Sequence, residues 1–320
     1  MKPDLKGYTV FLTGGSSGLG FEMAKALLLS GATVIVAARA GERLDRALDA
    51  LRLLGDAHAV GLDVRDEASA DAAAEWFAAR FPRLDMLVND AGIGNNAPGL
   101  EALPEGHRFW DIPVSAVKTV LETNLLGFFN VSRRFVPFMT RGGSLVYVST
   151  SDGTMTRPGQ LPYGPSKAGA EAMAAILVQE LRDLGIRVNV ICPGGFTDTA
   201  MAPAGAKERM LRNGLPVLSP TVLNDVILFL ASPGAANITG EKIVGKDFSS
   251  WLAARGYIPG EYRKRCCFES SCACGGLSPG RSVIFPGGKR YGRAGGRPWA
   301  AEAHCRNLII NSFILCYDLV

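Results

Sequence analysis

Short β-branched runs alternate with longer stretches of helical period along the first 262 residues, and this alternation restricts the fold more than any other feature. Candidate strands are Thr9–Leu12, Thr33–Ala37, Ala59–Leu62, Met86–Val88, Ser144–Val148, Arg187–Ile191 and Lys242–Val244. Helix-patterned stretches fall between them near 19–30, 41–54, 66–80, 113–136, 162–184 and 219–231. In the last of these, Val222, Val226, Phe229 and Leu230 recur at i, i+4, i+7 and i+8 and bury one face. Apolar strands separated by helices require crossover connections, hence a parallel sheet covered on both faces. The expected architecture is a doubly wound α/β fold of about seven strands. A long irregular stretch, Gly92–Trp110, comes after the fourth strand, where loops shape ligand sites in such folds.

Composition separates this body from the rest of the chain. The 320 residues carry a net charge of +4, with 48% hydrophobic and 20% charged residues. From Arg263 to Val320, however, nine Lys/Arg face three Asp/Glu, a net of +6, so residues 1–262 sum to −2. Six of the seven cysteines (Cys266, Cys267, Cys272, Cys274, Cys305 and Cys316) also lie in that tail, leaving Cys192 in the body. The chain therefore reads as a domain over 1–262 and an irregular Cys/Gly/Arg-rich tail over 263–320, expected to be poorly ordered and dispensable for chemistry. The tail's abrupt change of character also fits an out-of-frame extension. One body cysteine favours a reducing compartment, and no signal peptide or membrane span is visible, so a cytoplasmic location is expected. No nucleic-acid or membrane partner is implied.

The first strand runs into Thr13-Gly14-Gly15-Ser16-Ser17-Gly18-Leu19-Gly20. Glycines at this spacing, after a strand and before a helix, let the backbone approach a pyrophosphate seated on the helix N-terminus. The second strand ends Val36-Ala37-Ala38-Arg39, with no acid to accept bonds from a ribose 2′-hydroxyl. Arg39, with Arg43 as a second contact, instead suits a 2′-phosphate, so NADP(H) is favoured over NAD(H). Further on, Tyr163-Gly164-Pro165-Ser166-Lys167 places Tyr163 and Lys167 at i and i+4 on one helix face. A nearby ammonium stabilises phenolate and lowers a phenol pKa of about 10, making tyrosine a usable general acid or base.

This ordered set, with Asp63-Val64, Asn89-Asp90-Ala91-Gly92, Asn124, the Ser149-Thr150-Ser151 cluster and Cys192-Pro193-Gly194, resembles the short-chain dehydrogenase/reductase family over about residues 5–250. The resemblance implies a Rossmann-type oxidoreductase that interconverts a carbonyl and a secondary alcohol. It implies that Tyr163 exchanges a proton with the substrate oxygen. Lys167 then lowers the phenol pKa and holds the nicotinamide ribose, and Asn124 anchors a water in the proton relay. Gly14, Ser16, Ser17, Gly18, Leu19 and Gly20 form the phosphate turn. Asp63 and Val64 border the adenine, Asn89, Ala91 and Gly92 the middle of the cofactor, and Pro193, Gly194, Thr197 and Thr199 the nicotinamide and diphosphate. A homodimer or homotetramer built on the helices around 113–136 and 162–184, or near the seventh strand, is also implied.

Three departures from the family pattern stand out. Thr150 occupies the position of the catalytic serine, with Ser151 as the alternative; its hydroxyl can still hydrogen-bond a carbonyl oxygen. Asp90 replaces a second asparagine and has no amide to donate. The Gly92–Trp110 loop is longer than the pattern. Asn95, Trp110, Arg157, Gln160 and Met201 are expected to line a pocket of mixed polarity for a small carbonyl or alcohol. His58, His107 and His304 are scattered without metal-ligand spacing, so no metal is expected. A cofactor-binding regulator without turnover is the second reading, disfavoured by the intact Tyr163, Lys167 and Asn124.

Overall fold

The central strands of the sheet are buried on both sides, and alternate residues feed two separate cores. In the computed structural model, which describes residues 3–94, 97–100, 103, 104, 106–202, 205–258 and 262, seven parallel strands lie in the order β3-β2-β1-β4-β5-β6-β7. They are β1 (Thr9–Thr13), β2 (Thr33–Ala38), β3 (Ala57–Gly61), β4 (Leu84–Asn89), β5 (Met139–Val148), β6 (Arg187–Cys192) and β7 (Lys242–Val244). Val10, Leu12, Val34, Val36, Met86 and Val88 point to one face. Phe11, Ile35, Leu87, Leu145, Tyr147 and Val188 point to the other. This two-sided burial is why the strands read as continuous apolar runs.

Helices α1 (Gly18–Leu28) and α2 (Glu42–Arg52) pack on the first face. Helix α3 (Glu67–Ala78) packs on the second. After β4 come α4 (Val114–Leu121), a π-helical segment over Glu122–Leu126, and α5 (Gly127–Phe135). The expected single helix over 113–136 is thus interrupted by one wide turn, which a 3.6-residue period does not reveal. Gly127 lets the chain pack there: a Cβ would stand 2.6 Å from the Val64 Cγ2. The short α6 (Asp152–Met155) precedes α7 (Tyr163–Glu180), which packs on the second face. The chain then forms α8 (Ala206–Arg212), α9 (Asn224–Ala231) and α10 (Phe248–Ala254), of which α8 and α10 have no counterpart among the helices expected from periodicity.

The strand order reverses direction of winding between β1 and β4, and a doubly wound sheet opens its ligand crevice there, at the carboxyl ends of the strands. Thr13 pairs with Asn89 at that edge. Tyr262 still packs into the first core, its hydroxyl donating to Asp225 at 3.0 Å, so the body reaches at least that residue. All described residues fall within the unit Met1–Cys266. The expectation of a poorly ordered, dispensable tail concerns residues 263–320, which lie outside the described residues. Among the described residues, no helix is long and apolar enough to cross a membrane.

Candidate active site

The glycine turn is built against β4. Gly14 has φ of +79°, and a Cβ there would stand 2.8 Å from the Ala91 nitrogen. Any larger residue would push the turn off the strand end, so glycine is required twice over. Thr13 fastens the same junction: its hydroxyl accepts the Asp90 and Ala91 N–H groups, each at 3.1 Å. Sequence reasoning assigned Thr13 no role, because the contact exists only once β1 and β4 are neighbours. Gly20 is equally crowded, its Cβ position lying 2.6 Å from Asp90 Oδ2 and 2.7 Å from the Gly14 carbonyl oxygen.

The N-terminus of α1 is open to an anion. Ser17 sits at the N-cap in an extended conformation but makes no side-chain cap bond, and no acid occupies the first turn. Its hydroxyl is instead bonded by the Arg43 guanidinium. The N–H groups of Gly18 and Leu19 therefore have no intrahelical acceptor and no N-cap side-chain substitute, while that of Gly20 meets the Asp90 carboxylate. Thr199 approaches Gly18 from across the cleft, about 3.5 Å from where its Cβ would lie. Arg39 is exposed just beyond β2, near enough to Asp63 for its charge to help lower that carboxyl. A glycine turn, an uncapped helix start and two guanidinium groups suit a dinucleotide with an extra phosphate.

Other expected cofactor residues are placed less simply. Asp63 is held by Arg65 through two contacts at 3.0 and 2.6 Å, and that hydrogen bonding keeps its carboxyl below the ordinary value. Val64 turns its side chain into the second core and gives its carbonyl to Asn130 at 3.1 Å. Asn89 is fully buried, donating to the Ser132 hydroxyl at 3.1 Å, so only its backbone can face the crevice. Gly92 lies beside both Asn124 and Lys167: its Cβ position is 3.2 Å from Asn124 Oδ1 and 3.5 Å from Lys167 Nζ. Gly194 has φ of +92°, and the Pro193 carbonyl accepts the Lys246 N–H at 3.0 Å. Thr197 is on the surface nearby, its hydroxyl reaching the Gly195 carbonyl at 3.3 Å.

At the end of β5 the acid–base candidates converge. The Thr150 hydroxyl lies close enough to the Tyr163 phenol to interact with it, while Ser151 faces Thr154 at 3.0 Å. Of the two alternatives, Thr150 is therefore the residue brought to the tyrosine. Lys167 is buried, donates to the Val148 carbonyl at 2.8 Å, and lies 5.8 Å from the centre of the Tyr163 ring. The expected lowering of the phenol pKa by Lys167 is not found. Burial pushes Tyr163 up to about 12, the Thr150 hydroxyl opposes this, and the Asp90 charge adds to it. Burial of the phenol is the largest cause, while the Lys167 ammonium donates to the strand carbonyl of Val148.

Asp90 takes a contact the family pattern does not suggest. Its carboxylate accepts the Gly20 N–H, clamping the glycine turn from below. Burial raises its carboxyl well above the usual carboxylate range, against the pull of Lys167. Burial in turn lowers the Lys167 ammonium, opposed by Asp90 and Glu171. Each of the two groups thus favours the charged form of the other, against burial that disfavours both.

Asn124 sits in the π-helical turn with no exposure. Its Oδ1 accepts the Ile93 N–H at 2.9 Å, and its Nδ2 donates to the Ile93 carbonyl and the Ser166 hydroxyl, each at 2.9 Å. The expectation that Asn124 anchors a relay water therefore cannot rest on its amide hydrogens, both of which are already used. Ser166, also unassigned from sequence, passes this hold on by donating to the Tyr163 carbonyl at 2.7 Å.

The expected pocket-lining residues within the described part of the chain are exposed or partly exposed. Trp110 is 68% exposed and packs edge-on against Phe109; Arg157 is exposed and Met201 is 36% exposed. Asn95 lies outside the described residues. Cys192 is buried, which pushes its thiol up to about 11. His58 pairs with Asp56 at 2.9 Å, and no metal-ligand cluster occurs among the described residues.

Comparison with known proteins gives the family and the fold. A family model described as short chain dehydrogenase matches residues 8–209. The 3-oxoacyl-[acyl-carrier-protein] reductase of Thermotoga maritima is 35% identical over 76% of this chain and 97% of the relative. The 7alpha-hydroxysteroid dehydrogenase of Escherichia coli is 28% identical over 74% of this chain and 92% of the relative. Among solved structures, a variant of actinorhodin polyketide ketoreductase with NADPH superposes with a TM-score of 0.64 at 26% identity, covering 78% of this chain and 99% of its own.

Proposed function

Because the chain belongs to the short-chain dehydrogenase/reductase family, we propose that it is an NADP(H)-dependent oxidoreductase that interconverts a carbonyl and a secondary alcohol. The observation that carries this reading is the juxtaposition of the Thr150 hydroxyl and the Tyr163 phenol, with Lys167 one turn further along the same helix face. A bound nicotinamide supplies hydride to the carbonyl carbon, or accepts it from the alcohol carbon. Tyr163 exchanges the proton on the substrate oxygen, and Thr150 holds that oxygen with its hydroxyl. A phenol held high by burial stays protonated at neutral pH and is ready to donate, which suits reduction. Lys167 keeps a positive charge beneath the site and offers its ammonium to the cofactor ribose.

The glycine turn, the uncapped start of α1 and Thr199 would hold the diphosphate. Arg39 and Arg43 would hold the 2′-phosphate, in keeping with the absence of an acid after β2. The polyketide ketoreductase relative, whose structure carries NADPH, supports the same preference. Ketones and 3-oxoacyl thioesters are the first substrates to try. NADPH oxidation by the intact chain with at least one carbonyl, and slower oxidation of NADH, is the expected outcome of a broad carbonyl screen. Tight NADPH binding with no turnover on any carbonyl would instead support a non-catalytic regulator.

We also propose a homodimer. Leu121, Leu125, Leu126, Phe129 and Met173 line one apolar groove on α4, the π segment, α5 and α7, with Leu126 44% and Phe129 45% exposed. A second copy is the fitting cover for that face, since exposed apolar patches of this kind mark association surfaces. Light scattering should give a dimer or larger assembly for the native chain and a monomer for Phe129→Glu; a monomeric native chain would sink the proposal.

A further inference from the structure

Three successive turns of α7 each grip one residue at the end of β5. Lys167 donates to the carbonyl of Val148 at 2.8 Å. Glu171 accepts the hydroxyl of Ser149 at 2.5 Å. Tyr163 faces Thr150. Positions 163, 167 and 171 are spaced by four and so share a helix face. The first and third grips involve groups already given a chemical role, but Glu171 has none.

Glu171 is itself held from a distant part of the chain. Lys242, on the edge strand β7, contacts its two carboxylate oxygens at 2.7 and 3.0 Å. The same ammonium reaches Asp152 Oδ1 at 2.5 Å, at the start of α6. The side chains of Lys242 and Glu171 are only 23% and 21% exposed, so water screens this pair less than an open surface pair. Burial alone would lower the Lys242 ammonium, yet the bonds to Asp152 and Glu171 keep it above the ordinary lysine value. One ammonium therefore fastens the residue before Thr150, through Glu171 and Ser149, and the residue two beyond it, through Asp152.

We propose that Lys242 and Glu171 are positioning residues that fix the Thr150 hydroxyl against the Tyr163 phenol by clamping the chain on both sides of Thr150. The clamp is needed because the sheet ladder stops there: the Ser149 N–H donates to the Ile191 carbonyl at 2.8 Å, beyond which α6 makes only local bonds to Ser151 and Asp152. A hydroxyl on a free loop would lose the alignment that proton exchange needs, and a displacement of about 1 Å at such a site costs up to about a hundredfold in rate. The inference rests on the reading of Tyr163 as the acid–base residue, and the test keeps the two separate.

The variants are Lys242→Met, Lys242→Arg and Asp152→Asn in the full chain, with Tyr163→Phe as the control for the parent reading. Amide hydrogen exchange of the peptide covering 149–156 reads the clamp whether or not a substrate is in hand. Exchange about tenfold faster in Lys242→Met, with Lys242→Arg close to wild type, is expected. With a carbonyl substrate, Lys242→Met should lower kcat about tenfold while the NADPH Kd stays within about twofold, and Lys242→Arg should restore most of the rate. Asp152→Asn, a change at an exposed side chain, should lower kcat about threefold without changing Tm, and it decides the matter if Lys242→Met does not fold. Unchanged exchange over 149–156 in the folded variants, or wild-type kcat in both, overturns the proposal. Loss of the parent reading has a different signature: Tyr163→Phe at the wild-type rate, with exchange still accelerated in Lys242→Met.

Discussion

Replacing Asn124 by alanine tests whether the crevice is held together as described. Its side chain satisfies both backbone groups of Ile93 and one contact of Ser166, at 2.9 Å each. Ser166 would keep its bond to the Tyr163 carbonyl, so the cost falls mainly on Ile93. A buried backbone donor or acceptor left without a partner costs about 1–3 kcal/mol. Ile93 is only partly buried, so water can recover some of this for each group. The lost side-chain packing adds to it, and a total near 2–4 kcal/mol is expected. Urea unfolding followed by circular dichroism should show a lower midpoint at an unchanged slope, since the exposed area on unfolding hardly changes. A loss below about 1 kcal/mol would refute this, because it would mean that the Ile93 groups find other partners. Asn124→Asp separates bonding from packing. It keeps the acceptor for the Ile93 N–H but supplies no N–H to the Ile93 carbonyl or the Ser166 hydroxyl, so it should recover only part of the loss.

Two further outcomes stem from the charges around the crevice. Arg39→Glu should weaken NADPH binding about tenfold or more while leaving NADH no weaker, as read by fluorescence titration; an unchanged NADPH Kd would remove Arg39 from the cofactor site. Without cofactor, the absorbance difference between wild type and Tyr163→Phe should show no phenolate step near neutral pH, because burial holds that phenol up to about 12. The consequence for stability has a definite sign: a phenol raised above its unfolded value of 10.0 stabilises the fold fully below pH 10 and loses that contribution as pH rises toward 12. A phenolate step near pH 8 would show instead that Lys167 dominates its electrostatics.

Much of the fold is legible in the amino-acid order. The β-branched runs locate all seven strands because a strand buried on both faces must be apolar throughout, as Val10 to Leu12 and Val34 to Val36 are. The glycine turn is legible because Gly14 and Gly20 stand where no side chain fits. Through-space partnership is what a linear sequence cannot carry. Thr13 meets Asp90, and Lys242 meets Glu171 and Asp152, only after β1 lies beside β4 and β7 beside β6. The wide turn at Glu122–Leu126 is hidden because the apolar period continues through it. The phenol's direction of shift is misjudged from sequence because spacing at i, i+4 says that two groups share a face, not how deeply the phenol is buried, and burial is what raises it.

The most direct measurement is single-turnover carbonyl reduction by Tyr163→Phe, with NADPH affinity measured on the same preparation. A fall in rate of at least about a hundredfold at an NADPH Kd within about twofold of wild type is the expected result for a lost proton donor. Reduction at the wild-type rate would contradict the assignment of Tyr163 as the group that exchanges the proton.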